Sequence, residues 1–217
     1  MKIKSIIFDN DGTLYRMPLR FKEIVVARMA DYLSRKLGIP QPIVMDERKK
    51  LIAKHGVEST EFVFQKEYGI PYEEFVRETY LTISPKELGI LTDGRLRRIL
   101  EASGLQKSVL TNNPAEFARR IINALGICDM FEHIIGSREM DFKLKPNIEA
   151  FLTAMQIAGY DAKTTMFVDD VPEFHPAAKQ LGMTTVLLGQ IEKTKRPYID
   201  FTINQIYDIE KILEEIR

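Results

Sequence analysis

The sequence predicts an α/β fold, a parallel sheet flanked by helices, with a helical insert after its first strand. Three observations lead there. Over residues 91–217 short apolar runs alternate with helical segments, the pattern of βαβ units. A further apolar, β-branched run, Ile3–Phe8, stands near the start. It must join the same sheet, because alone it would be an unpaired edge. Between it and the next strand lie roughly 100 residues, far beyond an ordinary strand–helix connection. The core is therefore expected over residues 1–16 and 91–217, with the helical insert at 17–90.

Taken in order, Ile3–Phe8 is a buried strand that ends in the turn residues Asp9-Asn10-Asp11-Gly12. Phe21, Val25, Met29, Tyr32 and Leu33 form one helical stripe, stopped by Gly38 and Pro40. Met45–His55, Thr60–Tyr68 and Tyr72–Leu81 are three more helices, the last opened by Pro71. A helix carrying Leu96, Ile99 and Leu100 ends at Gly104, and Ser108–Leu110 is a strand. In Thr111-Asn112-Asn113-Pro114, Asn113 reads as an N-cap and Pro114 as the first residue of a helix reaching Leu125. His133–Ile135 is a strand and Asn147–Ala158 a helix. Thr165–Val168 is a strand running into Asp169-Asp170, and a helix follows to Leu181. Thr184–Leu188 and Ile199–Ile203 are the remaining strands, with Asn204 capping a C-terminal helix.

Composition excludes several classes. Lys and Arg together number 31, as do Asp and Glu, so the net charge is zero and lacks the basic excess of a nucleic-acid binder. The same balance gives no reason to expect an anionic membrane as partner. One cysteine, Cys128, permits no internal disulfide and points to a reducing compartment. No apolar run nears the ~18 residues of a membrane span, and the first apolar stretch is too short for a signal peptide. A cytoplasmic protein is expected, either monomer or homodimer.

Open α/β sheets bind ligands beyond the carboxyl ends of their strands. Four carboxylates fall there: Asp9 and Asp11 after the first strand, Asp169 and Asp170 after the strand at 165. Thr111 follows another strand, and Lys145-Pro146 sits at a helix start. Two like charges 4 Å apart repel by about 4 kcal/mol at an effective dielectric of 20, so four require a cation or raised pKa values. Oxygen-only ligands select a hard ion, and Mg²⁺ suits carboxylates that share it with a phosphate. A carboxylate can also attack phosphorus, a second can protonate the leaving alcohol, and a hydroxyl with a lysine can hold the transferring group. The inventory fits phosphoryl transfer through a covalent aspartate.

These residues resemble the motifs of the haloacid dehalogenase (HAD)-like hydrolases, and the pyrimidine 5′-nucleotidase-like branch most closely. Phe8-Asp9-Asn10-Asp11-Gly12-Thr13-Leu14-Tyr15 is similar to the family's D-x-D-x-T-L. Leu110-Thr111-Asn112 resembles the second motif, Lys145-Pro146 with Phe151 the third, and Phe167-Val168-Asp169-Asp170 the acidic fourth. The resemblance implies a Rossmann-like core and a cap that closes over the site, excludes water and reads the leaving group. It implies Asp9 as nucleophile and Mg²⁺ ligand, and Asp11 as general acid/base and ligand through its carbonyl. It implies Thr111 and Lys145, with Asn112 beside them, as phosphoryl-binding residues, Asp170 as direct metal ligand, and Asp169 as the neighbouring acidic position. His55 falls where the nucleotidase-like branch carries a substrate-facing loop, which makes it a candidate substrate contact; read alone, it is a surface loop residue.

The reading is thus a Mg²⁺-dependent phosphatase for a small phosphorylated metabolite, with a nucleoside 5′-monophosphate implied by the branch. A phosphoglycolate or sugar-phosphate phosphatase, or a phosphomutase, is the alternative within the family. A phospho-aspartate signalling domain is the alternative outside enzymes, disfavoured by the insert and by the position of the acidic pair.

Overall fold

The computed structural model describes residues 2–189 and 196–215. The chain forms two compact units, one of Met1–Met17 with Ile90–Arg217 and one of Pro18–Gly89.

The larger unit is a six-stranded parallel sheet in the order β3-β2-β1-β4-β5-β6. Its strands are β1 (Ser5–Phe8), β2 (Gln106–Leu110), β3 (His133–Ile135), β4 (Thr165–Asp169), β5 (Thr184–Leu188) and β6 (Phe201–Ile203). The fold class is the expected one, and β1 is the centre of the sheet rather than an edge. Its register, Phe8 beside Val109 on one side and Val168 on the other, brings the ends of β1, β2 and β4 level. All four residues of β1 are buried, as a parallel strand covered on both faces requires. Alternation along the strands sends Ile7, Leu110, Ile135 and Phe167 to one core. Ala150, Phe151 and Ala154 of one helix and Ala177 and Ala178 of another close over it.

The smaller unit contains α1 (Phe21–Leu37), α2 (Gln41–His55), α3 (Thr60–Tyr68) and α4 (Tyr72–Glu78). The stripe read from the sequence is its core: Phe21, Val25, Met29, Tyr32 and Leu33 are all buried. Two boundaries differ from expectation. Helix α2 starts at Gln41, not Met45, because Pro40 precedes it and Pro42 lies in its first turn, where a fixed φ and a missing N–H cost nothing. Helix α4 stops at Glu78, where the Thr79 hydroxyl donates to the carbonyl of Phe75 (2.6 Å), and a 3₁₀ turn follows.

The helices of the sheet unit are α5 (Gly94–Ser103), α6 (Ala115–Ala124), α7 (Ile148–Ala158), α8 (His175–Gln180) and α9 (Ile209–Glu215). Two caps are corrected. Asn204 does not cap the last helix; Gln205 and Asp208 cap a 3₁₀ turn reciprocally just ahead of α9. Pro114, not Asn113, occupies the N-cap of α6. No described helix is long and apolar enough to cross a membrane.

The entry to α6 is pinned by the end of β3. Ser137 donates to the carbonyl of Asn113 (3.1 Å), and a Cβ on Gly136 would lie 2.3 Å from the amide nitrogen of Ala115 and 2.7 Å from that carbonyl. Both are backbone atoms, so the contact cannot relax by a rotamer change. Gly136→Ala is expected to destabilise by about 1–3 kcal/mol, the usual effect of overpacking, read in equilibrium denaturation. A midpoint equal to that of the wild type would show the approach to be slack.

Candidate active site

The strand order reverses at β1: the chain moves outward to β2 and β3, then crosses to β4 on the other side. Ligands of open α/β sheets bind at such a switch point. Asp9 follows β1 there, with its amide still donating to the carbonyl of Val168 (2.9 Å). Asp169 ends β4 and Asp170 follows it. One carboxylate oxygen from each of the three lies within 4.8 Å of the others.

Lys145 enters this cluster from the connection between β3 and α7. Its Nζ lies 2.8 Å from Asp9 Oδ1 and 2.7 Å from Asp169 Oδ2, and its side chain is fully buried. Lys143, two residues earlier, is exposed and paired with Glu149 (2.7 Å), so the inward position belongs to Lys145 alone of the two. Asn112 explains how Lys145 is aimed. Its Nδ2 donates to the carbonyl of Lys145 and its Oδ1 accepts from the amide, both at 2.9 Å. Asn112, expected as a phosphoryl contact, thus clasps the backbone of the lysine.

The carboxylates have different surroundings. Asp169 has both oxygens engaged, Oδ2 by Lys145 and Oδ1 by the amide of Val171 (2.8 Å). Burial, reinforced by Asp9, pushes its pKa above the ordinary carboxylate range against the pull of Lys145. Lys145 is held above the usual lysine value: burial opposes its charge, but Asp169 and Asp9 outweigh it. Among the described residues Asp170 accepts a long side-chain bond from the Thr13 hydroxyl (3.4 Å), and burial with the charge of Asp9 pushes it up to about 6. Its oxygens press against the turn after β1: a Cβ on Gly12 (φ +100°) would lie 2.4 Å from Asp170 Oδ2. Glycine is required there both by its φ and by the approach of the carboxylate.

Asp11 is surrounded by donors. The Tyr15 hydroxyl donates to Oδ1 (2.5 Å), while Asn113 Nδ2 (2.8 Å) and the Thr111 hydroxyl (3.3 Å) donate to Oδ2. Burial and Asp9 raise its pKa, and the bonds from Tyr15 and Asn113 draw it back. Burial and then Asp11 push Tyr15 far above its ordinary value, so its hydroxyl stays protonated. Asn10, between the two aspartates, is fully buried, and its carboxamide meets no hydrogen-bond partner among the described residues.

Asp9, Asp11, Thr111, Asn112, Lys145, Asp169 and Asp170 therefore lie together in the sheet unit. His55 belongs to the helical unit, where its Nε2 lies 2.7 Å from Glu67 Oε1 and its ring meets Phe62 edge-on. Three supporting residues escaped the sequence. Asn113 looked like a cap, and Tyr15 carried no signal beyond lying four residues after Asp11. His175, expected merely to start a helix, is fully buried, with its ring nitrogens 3.1 Å from the carbonyls of Val171 and Val186. It ties the loop after Asp170 to β5. Burial keeps its pKa below the ordinary histidine value against the pull of the two carbonyls.

A buried lysine–carboxylate cluster thus stands at the switch point of a parallel α/β sheet, with a second aspartate two residues after the first. The chain belongs to the haloacid dehalogenase-like hydrolases, whose family profile matches residues 6–188. It is 27% identical over 205 residues to an N-acetylmuramic acid 6-phosphate phosphatase from Pseudomonas aeruginosa, covering 91% of this chain and 87% of that one. It is 25% identical over 219 residues to a phosphoglycolate phosphatase from Aquifex aeolicus, covering 98% and 97%. Among solved structures, a HAD phosphatase from Thermococcus onnurineus matches with a TM-score of 0.61 at 23% identity, over 97% and 98% of the two chains. A 2-haloacid dehalogenase from Pseudomonas syringae pv. tomato matches at 0.66 and 20%, over 99% and 100%; at these identities the structures attest the fold. The family and its relatives make the protein a hydrolase of phosphoric monoesters. The relatives carry phosphoglycolate and amino-sugar-phosphate names and lend no support to the nucleotidase-like branch.

Removing Lys145 would leave Asp9 and Asp169 buried without a counter-charge. Breaking a buried ion pair from one side typically costs 3–5 kcal/mol. Lys145→Met is expected to lose stability on the order of that range in divalent-free buffer, read from the denaturation midpoint; an unmoved midpoint would refute the central role of this charge.

Proposed function

We propose that the protein is a Mg²⁺-dependent phosphatase of small phosphate monoesters that works through an aspartyl-phosphate on Asp9, with Pro18–Gly89 as its specificity-determining cap. The observation that carries this reading is the pairing of Asp9, anchored by Lys145 Nζ at 2.8 Å, with an Asp11 that has its own separate set of donors. One carboxylate is held next to a cation and the other apart from it, which suits two different jobs.

The donor set fits a hard divalent cation. Three carboxylate oxygens lie within 4.8 Å with one lysine between them, so negative charge is in excess. Asp9, Asp170 and the backbone carbonyl of Asp11 would hold the ion, with Asp169 alongside. When bound, it offsets the charge of the carboxylates and polarises the phosphoryl oxygens.

The chain's own residues supply the rest. An oxygen of Asp9 attacks phosphorus, and the bond from phosphorus to the ester oxygen breaks. Asp11 gives its proton to the departing alkoxide, which leaves as the alcohol. Water then attacks the phosphorus of the aspartyl-phosphate, Asp11 takes up a proton from it, and phosphate leaves with Asp9 restored. The Thr111 hydroxyl and the Lys145 ammonium hold the equatorial oxygens, where charge spreads in the transition state. Asp11 is also what sets this reading apart from a dehalogenase, since expelled halide needs no proton.

The substrate class follows the relatives: compact phosphorylated acids and sugars, with nucleoside 5′-monophosphates as the alternative. Phosphate release is the direct test, across 2-phosphoglycolate, N-acetylmuramic acid 6-phosphate, hexose phosphates and nucleoside 5′-monophosphates, with Mg²⁺ and with chelator. Chelator-sensitive release of free phosphate is expected. Conversion of a sugar phosphate to its isomer without free phosphate would mark a mutase instead.

Two variants test the roles. Asp9→Asn is expected to abolish turnover while leaving the unfolding transition cooperative; substantial residual activity would remove Asp9 as nucleophile. Asp170→Ala is expected to shift the Mg²⁺ titration of activity to far higher concentration than Thr111→Ala does, and equal titrations would sink the ligand assignment.

A further inference from the structure

Asp11 is not free to choose its rotamer. Its two carboxylate oxygens are engaged from two separate segments of chain. Tyr15 lies on the same turn and is fixed to Asp11 twice, by its hydroxyl on Oδ1 and by a backbone bridge between the two residues. Its ring is buried, so the hydroxyl cannot swing away. Asn113 comes from the turn after β2 and donates to Oδ2. That turn is itself immobilised: the Asn113 amide donates to the Thr111 hydroxyl (3.2 Å), and its carbonyl accepts from Ser137 beside the close approach of Gly136. Pro114 fills the N-cap of α6, which leaves the Asn113 carboxamide for Asp11.

We propose that Tyr15 and Asn113 are positioning residues that together hold the Asp11 carboxyl where it meets the leaving oxygen of the substrate. The proposal rests on the reading of Asp11 as general acid. A proton donor works only within hydrogen-bond reach of the atom it protonates, and misplacement by about 1 Å can cost 10²-fold in rate. A single donor fixes one oxygen and leaves the carboxyl free to rotate about it. Donors on both oxygens, from segments that are each pinned elsewhere, remove that freedom. Neither residue contacts Asp9, Asp169 or Lys145 by a hydrogen bond among the described residues, so their effect is expected at the leaving group and not at the nucleophile.

The leaving group therefore provides the test. An alkoxide needs the proton of Asp11, whereas 2,4-dinitrophenolate departs without one. The value of kcat/KM reports the steps up to the loss of the leaving group. It is to be measured for the alkyl phosphate turned over fastest in the panel above and for 2,4-dinitrophenyl phosphate. Tyr15→Phe and Asn113→Ser are both expected to lose on the order of 10-fold or more with the alkyl ester, and at least several-fold less with the dinitrophenyl ester. Asp11→Asn is the reference, with the same pattern and a larger loss. Equal losses on both esters for the Tyr15 and Asn113 variants, alongside a selective loss for Asp11→Asn, would show a general structural role and overturn the proposal. No loss on either ester would overturn it as well. An Asp11→Asn variant without selectivity would overturn the general-acid reading itself, and the positioning role with it. Tyr15→Phe keeps the buried ring, so the test stands even if Asn113→Ser folds poorly.

Discussion

The structure turns on one buried positive charge. The Lys145 ammonium is fully withdrawn from water and is satisfied by Asp9 and Asp169. An ammonium in such a place is untenable without partners, and carboxylates this close are untenable without it. Several local features follow from that mutual need. The ends of β1 and β4 must be level, which the register provides. The connection after β3 must deliver Lys145 to the same point, which the two-sided clasp by Asn112 provides. The turn after β1 must admit a carboxylate at close range, which only glycine at position 12 allows.

Around that charge, four aspartates of identical chemistry are made different by their neighbours. Asp169 spends both oxygens on protein groups and acts as a brace for Lys145 and for the loop at Val171. Asp170 accepts a single long side-chain hydrogen bond among the described residues, from Thr13. Asp9 is anchored on one oxygen by the lysine, while Asp11 is held by neutral donors. The division of labour proposed for phosphoryl transfer mirrors these differences. A second ring of residues maintains them: Asn112 aims the lysine, Tyr15 and Asn113 orient Asp11, and His175 ties the loop that carries the acidic pair to β5.

Much of this was legible in order along the chain. Most strands stand out as short apolar runs, although β2 starts at Gln106 and not Ser108 and β6 at Phe201 and not Ile199. The helices ending at Gly38 and Gly104 stop where the sequence marks them. The errors have local causes. Pro40 reads as a stop after α1, but proline serves equally well just ahead of a helix, so α2 begins four residues before Met45. Asn113-Pro114 has the grammar of a cap, but α6 starts one residue later with Pro114 at its N-cap, and the Asn113 Nδ2 donates to Asp11, a distant contact that no local rule foresees. Asn204 is by residue type the better cap, yet Gln205 has a reciprocal partner three residues on in Asp208.

The sequence by itself determined the alternation of strands and helices, the helical insert, the placement of carboxylates and hydroxyl at strand ends, and that of the lysine ahead of a helix. Those properties depend on residue type and spacing over a few positions, where periodicity and turn chemistry act directly. It also carried four motifs whose order resembles one family, to which the chain belongs. Only the tertiary structure decided which lysine is buried, which oxygens of each aspartate are occupied, and which of three unremarkable residues, Tyr15, Asn113 and His175, support the site. Several of those outcomes depend on contacts between segments a hundred or more residues apart, as between Lys145 and Asp9 or Asn113 and Asp11. They are set by strand register and by the balance of burial against charge, neither of which is written in any short stretch of chain.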